Sequence, residues 1–585
     1  MQKSLFVLSS LFAAGICIAP AWDTFYKTIA KSLQKAAPTF VPSGQSLRTV
    51  QSCAPGSKEL FSADGNGKFI NILPGSGNHH YQITTTNDSA QIYFNQGLSM
   101  YYSYHMREAL ASFKEAANFD STSAMVYWGQ ALAMGPTYNF GYAYKMGNGV
   151  PAVIALMNQH KERASDKEKD MIKAMNSRYN ITDATDSERK QLNENYAGAL
   201  RPLVGKYNDD LDLKILYTDA VMLVHPWSFW NNDGTAKSWT AELVKNCEDV
   251  LGKDPHHPAA LHYFIHLTEA SRKPNVGLAS ADSLRKLYPG IAHMVHMSSH
   301  EYERIGYYVK GVQANEEADR SLGQYASLAT GLGLSAHVPH YYAVDAFCAL
   351  SGAMYKKAIQ KTMTLRQSID PDYANTYNQY LYMYPVLANV RMGKWQAILQ
   401  DTTSINPEWT YAGILSDFSK GMAYAKTGNY AQAETHLEKL RAKQKDTILR
   451  VRFTPMMSTP FECSVVAENI LLATTSFHQK KYEQAFTAIK KAIRAEESLI
   501  YSEPNLWMLP ARQYLGAFLL KLKQSKEAEK VYRDDLKWNP GNGWSLVGLY
   551  QALKSQQKTR ELKDLKLRYL NSFSDADVIP TTSAY

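Results

Sequence analysis

Along most of the chain the apolar positions recur every three or four residues, the spacing that gives an α-helix one buried face. In "FSKGMAYAKTGNYAQAETHL" the small and aromatic residues Gly421, Tyr424, Gly428, Tyr430, Ala433 and Leu437 stand where two antiparallel helices must approach closely. The same frame returns with Gly97, Met100, Met106, Ala109, Phe113 and Ala116, with Tyr482, Ala485, Ile489 and Ala492, and with Gly516, Leu519, Ala528 and Tyr532. Four occurrences of one helix-turn-helix frame predict an all-α chain in which each pair buries its face against the next.

A 34-residue period of this kind is that of the tetratricopeptide repeat (TPR), so the expected architecture is a TPR-type α-solenoid over roughly residues 88–570. Within it, residues 88–410 form a first array that carries most of the histidines, and 411–570 a second. Residues 22–87, with "ADGNGKF" and "LPGSGNHHYQITTTNDS", are turn-rich and weakly periodic and read as an irregular segment laid on the first repeats. "HPWSFWNNDGT" at 225–235 breaks the helical pattern as an aromatic loop, and 571–585 read as a loose tail. The start, "MQKSLFVLSSLFAAGICIAPAWD", has the layout of a secretory signal peptide over residues 1–21, with cleavage after Ala21, and predicts an exported protein, periplasmic or secreted.

The repeat frame changes the meaning of one segment. "LHYFIHLTEA" holds His262, His266 and Glu269; "IAHMVHMSSHEYER" holds His293, His296, His300 and Glu303. His262 and His296 lie 34 residues apart, as do His266 and His300, Glu269 and Glu303, and the repeat-closing Pro255 and Pro289. The motif His-x3-His-x2-Glu is thus written twice on neighbouring first helices, each trio forming one stripe. Those stripes fall on the positions that line the concave groove of such arrays, not on the interior positions. The next repeat adds His337 and His340 in "SAHVPHYY".

Imidazoles on adjacent helices meet at the distance a shared ion requires. The predicted ligands are His262, His266, His293, His296, His300, His337 and His340, with Glu269 and Glu303 as ligands, outer-shell groups or general bases. Imidazole with carboxylate suits Zn, Fe, Cu or Mn, and no cysteine lies nearby to make a structural thiolate zinc site. The alternatives are a metal-free groove for an extended peptide or partner protein, a metal carrier without turnover, and a hydrogen-bonded histidine network. Further candidates for the groove are His80, His105, Trp128, Asn139, His225, Trp227 and Trp230.

Composition narrows the partners. Hydrophobic residues make up 45% and charged residues 20% of the 585, as in folded soluble proteins. The formal charge of +9, reduced by one when Lys3 leaves with the signal, is spread without a basic stripe, which excludes nucleic acid as the expected partner. No later apolar run reaches the roughly 18 residues of a membrane span. Cys53, Cys247, Cys348 and Cys463 form no CxxC pair and leave room for one or two disulfides. P-loop, GxGxxG, GxSxG and HExxH patterns are absent, so catalysis on a small molecule or peptide would be metal-centred hydrolysis or oxidation.

The run of motifs "TTTNDSAQIYFNQGL", "SYHMREALASFKEAA", "MVYWGQALAMGPTYN", "HHPAALHYFIHLTEAS", "IAHMVHMSSHEYERIG" and "YLGAFLLKLKQSKEAEKVYRDDLKWNPGNGW" resembles a family of exported bacterial TPR-domain proteins. The resemblance spans most of residues 75–550 and implies the TPR fold and export, with no activity attached. Two departures stand out: Ser298 where the family tends to have proline, and Glu301 where it tends to have isoleucine.

Overall fold

A computed structural model describes residues 63–139, 144–182, 184–328 and 338–585. The signal-peptide segment, Cys53 and His337 lie outside these residues. The described residues form 25 α-helices, from Asp88–Tyr102 to Leu562–Ser572, with no strand beyond one isolated bridge between Trp230 and Ala236. None of these helices is long and apolar enough to cross a membrane.

Among the described residues one turn recurs eight times at the ends of helices. At Tyr104, Gly306, Ala353, Gly393, Gly428, Lys480, Lys523 and Gln557 the backbone is left-handed, with φ between 56° and 86°. The next residue's N–H then reaches back five residues, as from His105 to Met100, Asn429 to Tyr424 and Gln524 to Leu519, each at 2.9 Å. This satisfies a carbonyl that the helix end would otherwise orphan. In seven of the eight the second helix begins two residues later, as Tyr430 does after Gly428. Successive turns in the C-terminal half are between 34 residues apart (Lys523 to Gln557) and 52 (Gly428 to Lys480), so the strict period of the sequence holds only locally. The surplus residues form loops, among them the stretch between the helices Tyr482–Glu497 and Ala511–Lys521.

Buried apolar side chains fall into two large clusters, one running from Ile70 to Ala314 and one from Tyr308 to Ala584. The second crosses residue 410 without a break. Backbone-to-backbone contacts fasten the pieces. A Cβ on Gly541 would stand 1.9 Å from the carbonyl carbon of Ile305, so only glycine lets the segment around 541 sit against the turn at Gly306. A Cβ on Gly290 would lie 2.0 Å from the Pro74 carbonyl oxygen, while its N–H donates to Gly75 O at 3.1 Å. The irregular segment is therefore laid directly on the histidine repeats.

Two sequence expectations are corrected. The last residues are not loose: Ser583 donates to Gln513 O at 2.7 Å and meets the Tyr532 hydroxyl at 2.7 Å, and Ala584 is buried. The described cysteines, Cys247, Cys348 and Cys463, are free thiols buried at separate places in the core; apolar packing, not cross-linking, accounts for them.

Candidate metal centre

The first histidine helix, Pro258–Thr268, begins with Pro258 at its first position and His257 as cap, whose Nδ1 accepts from Ala260 N at 3.3 Å. The second, Ala292–Arg304, packs beside it. All eleven residues of the first and all thirteen of the second are buried, so these helices present no open groove. Three distant segments enclose them: the hairpin turn Tyr102–His105, the helix Val338–Ser351 with His340 and Tyr341, and the loop bearing Tyr501 and Glu503. Curling of the array brings Tyr102 and Glu503 to the same pair of helices.

Hydrogen bonds at Nδ1 set the tautomers. His262 Nδ1–H donates to the Tyr102 carbonyl at 2.6 Å. His296 Nδ1–H donates to Asn315 Oδ1 at 2.6 Å, and the Asn315 amide is oriented by its own donation to Gly311 O at 2.9 Å. Glu269 bridges the two helices, Oε1 accepting from His266 Nδ1 and Oε2 from His300 Nδ1, both at 3.0 Å. Glu503 Oε2 also stands 3.0 Å from His300 Nδ1. Carbonyl and carboxylate oxygens only accept, so the hydrogen in each neutral ring is on Nδ1 and the lone pair is on Nε2.

The Nε2 atoms converge. His262 and His293 Nε2 are 3.2 Å apart, and His296 and His300 Nε2 2.9 Å apart. Two groups have donor atoms within 4.8 Å of one another: His262, His266 and His293, and His296, His300 and His340. Two nitrogens held about 2.1 Å from one ion at angles of about 90–109° stand about 3.0–3.4 Å apart. The observed separations fall in or next to that range, and carboxylate or carbonyl partners behind the rings are the usual orienting groups of metal-bound imidazole. His266 Nε2 has no partner.

Burial pushes His266 down to about 3 and, with the His266 ring beside it, holds His262 well below the usual imidazole range. At His300 burial acts in the same direction, but Glu503 and Glu269 outweigh it and push the ring up to about 10. Glu503 is itself raised, by burial and by Glu269.

The remaining predicted residues divide. His340 joins His296 and His300, with ring centroids 4.8 and 5.7 Å away. His105 is buried behind His293, accepting from its backbone N–H at 3.4 Å. Trp227 reaches His266, ring to ring at 5.6 Å, and Trp230 donates its indole N–H to Leu267 O at 2.8 Å. Glu303, although one repeat after Glu269, is bonded to none of the histidines; it lines an adjoining pocket with Arg391 and Trp507, and burial pushes it up to about 8. His80 is exposed and bonds Gln82 and Asn95, and His225 stacks on Trp239 at 3.6 Å, so neither enters the centre. Trp128 is buried in the first apolar cluster, and Asn139 is buried next to Tyr138.

A third His-and-acid group, His79, Asp212 and His257, is a lock. Asp212 Oδ1 accepts from His79 Nε2 and from the Tyr102 hydroxyl, both at 2.8 Å. His257 uses its Nδ1 lone pair to cap a helix, which leaves the hydrogen on the Nε2 that faces Asp212 at 3.5 Å. Although burial opposes ionisation, the His79 and His257 rings hold Asp212 far below the carboxylate range. The lock ties the irregular segment to Tyr102, whose carbonyl orients His262.

Sequence reasoning missed Tyr102, Tyr104, Asn315 and Glu503. Tyr104 sits at left-handed φ of 57°, a conformation costly for a non-glycine residue, with its ring 4.7 Å from His262 and 5.9 Å from His266. Glu503 lies in "LIYSEPNLWMLP", and the only sign of it was a repeat overrunning its period.

A cavity of about 170 Å³ between the two apolar clusters reaches His266 and Glu269. Trp227, Trp230, Trp507 and Trp538 wall it, Arg272, Arg304 and Arg512 lie around it, and its lining extends to exposed Asn232.

No family model matches the chain, and no curated protein does. Solved structures that align with it include a human IFIT1 dimer with m7Gppp-AAAA (12% identity, 85% of this chain and 92% of that one, TM-score 0.30). The APC/C hetero-tetramer Cut9-Hcn1 (12%, 79% and 76%, 0.27) and yeast Tom70 (10%, 83% and 92%, 0.25) also align. At such scores the helical-repeat description rests on this chain's own eight turns, and what those proteins bind is theirs alone.

The donor set is therefore up to six imidazoles in two adjoining groups, backed by Glu269, Glu503, Asn315 and the Tyr102 carbonyl, with one face of His266 on a cavity. Such a set can hold one or two transition-metal ions and leave a position for a small molecule.

Proposed function

We propose that this chain is a metalloprotein that holds one or two transition-metal ions of the Zn, Fe, Cu or Mn class, in a buried centre. The ligands are Nε2 of His262, His266 and His293 and of His296, His300 and His340. The observation that carries the reading is the convergence of Nε2 atoms, 3.2 Å between His262 and His293 and 2.9 Å between His296 and His300, with Nδ1 of His262, His296 and His300 turned to acceptors. Nitrogens so placed are satisfied either by an ion held between them or by a hydrogen on one of the pair. A bound ion of this class supplies Lewis acidity and an activated water. Glu503 Oε1, which has no hydrogen-bond partner, gives the centre a proton acceptor, and the cavity admits a small molecule at His266. The reaction class this favours is metal-assisted hydrolysis of a small molecule.

An extended peptide in an open groove has less support, because Tyr102–His105 and the Glu503 loop cover the histidine helices. A second reading draws on the raised His300: a proton on this ring, donated from Nε2 to His296 Nε2, also bridges the 2.9 Å contact. Elemental analysis of untagged protein separates the two. Near-stoichiometric metal, lost in H266A and H300A, supports the centre. Protein that is metal-free and takes up no added Zn, Fe, Cu or Mn supports the proton bridge and ends the metal reading.

A further inference from the structure

The cavity that reaches His266 is lined by a guanidinium with an unused donor. Arg304, on its wall, is fully engaged by neutral acceptors: Nε donates to Glu269 O at 2.9 Å, Nη1 to Asn539 Oδ1 at 3.2 Å, and Nη2 to Trp538 O at 3.0 Å and Ser271 O at 3.2 Å. Arg512 is paired with Glu497. Arg272 differs from both. Its guanidinium lies 3.2 Å from the Trp538 ring centroid, its Nη2 donates to Asn232 O at 2.5 Å, and its Nη1 is buried with no partner. Among the described residues Arg272 makes no ion pair, and the exposed Asp233 acts on it only through space. A stacked guanidinium with one side of its fork unused is a receptor for a planar anion.

Size and walls define the rest of the ligand. About 170 Å³ is close to the roughly 150 Å³ that accommodates a benzene-sized molecule. Trp227 and Trp507 supply apolar wall, and His266 Nε2, on a residue only 2% exposed, is a second unpartnered polar group among the lining residues. The count of charges chooses the anion. Arg272, Arg304 and Arg512 line the cavity with four acids, and burial shifts two of these, Glu496 (up to about 8) and Asp535, toward the neutral form, so the surplus of about one positive charge suits a monoanion and not a dianion.

We infer that the cavity is a binding site for a small monocarboxylate with an apolar or aromatic body about one ring in size, its carboxylate held by Arg272 and its body against the tryptophans. This deepens the function proposed above, since it rests on His266 being the metal-facing end of the same cavity.

The test uses the full chain, as isolated and after chelation, with benzoate, benzyl alcohol and phenyl phosphate as probes in calorimetric titration. Benzoate binds both preparations at least tenfold more tightly than either analogue, R272M removes that preference, and R272K restores part of it with metal content unchanged. Equal binding of benzyl alcohol, tighter binding of phenyl phosphate, no benzoate binding, or a preference that survives in R272M overturns the inference. Because metal content is measured separately, carboxylate selectivity in a chain that takes up no metal would sink the metal reading alone, and a metal-loaded chain indifferent to benzoate would sink only this one.

Discussion

Glu269 and Glu303 occupy the same place in two successive repeats, yet only one of them touches the histidines, which makes a controlled experiment. In E269Q the side chain keeps its shape but presents one acceptor and one NH2 donor to two Nδ1–H groups that now each stand 3.0 Å from a carboxylate oxygen. One of His266 and His300 must lose its bond to residue 269, and the charge of that carboxylate is gone from both rings, although Glu503 still faces His300. Loss of such an orienting group weakens metal binding about 10- to 100-fold, or about 1.4–2.7 kcal/mol. E303Q removes the same atoms one repeat later, beside Arg391 and Trp507, and leaves affinity within about threefold of the parent. Competition against a chromophoric chelator measures both. Equal losses in the two variants, or no loss in E269Q, would refute the assignment of Glu269 as the bridge between the two stripes.

Other outcomes follow from the same contacts. His300 in the ion-free chain is pushed up to about 10, so binding an ion at Nε2 near pH 7 releases about one proton from this ring, and affinity rises with pH between 6 and 8; calorimetry in buffers of differing ionisation enthalpy counts it. Glu301, buried without a hydrogen-bond partner and pushed up to about 8 chiefly by burial, has a folded value above its unfolded one near 4.5. Its contribution to stability is therefore complete at acid pH and lost as pH rises through 8. E301I should accordingly stabilise the fold by about 1–3 kcal/mol at pH 9 relative to its effect at pH 4, read from denaturant midpoints. G541A forces a Cβ into the Ile305 carbonyl and lowers stability by about 1–3 kcal/mol, read as a drop in Tm.

The helical repeat was legible because its signal is local. Small residues at helix crossings and a left-handed residue two positions before the second helix recur at Gly306, Gly393 and Gly428, where the sequence itself shows glycine. At Tyr104, Ala353 and Lys480 the same turn is made without glycine, and no residue type announces it. The histidine stripes were legible for the same reason, since His262, His266, His296 and His300 share a frame. Their surroundings were not. Whether a stripe faces solvent or protein depends on how far the array curls, and Tyr102 and Glu503 meet the histidine helices across 160 and about 200 residues of chain. Such partners leave no periodic trace, and the symmetry that made Glu303 look equivalent to Glu269 is broken by what packs against each.

X-ray absorption at the metal edge of the native, untagged protein tests the central claim most directly. The expected result is a first shell of nitrogen at about 2.0–2.1 Å with the outer-shell scattering of at least three imidazoles, collapsing in the H266A and H300A variants. A shell of oxygen alone, or an imidazole signal unchanged in both variants, would contradict it.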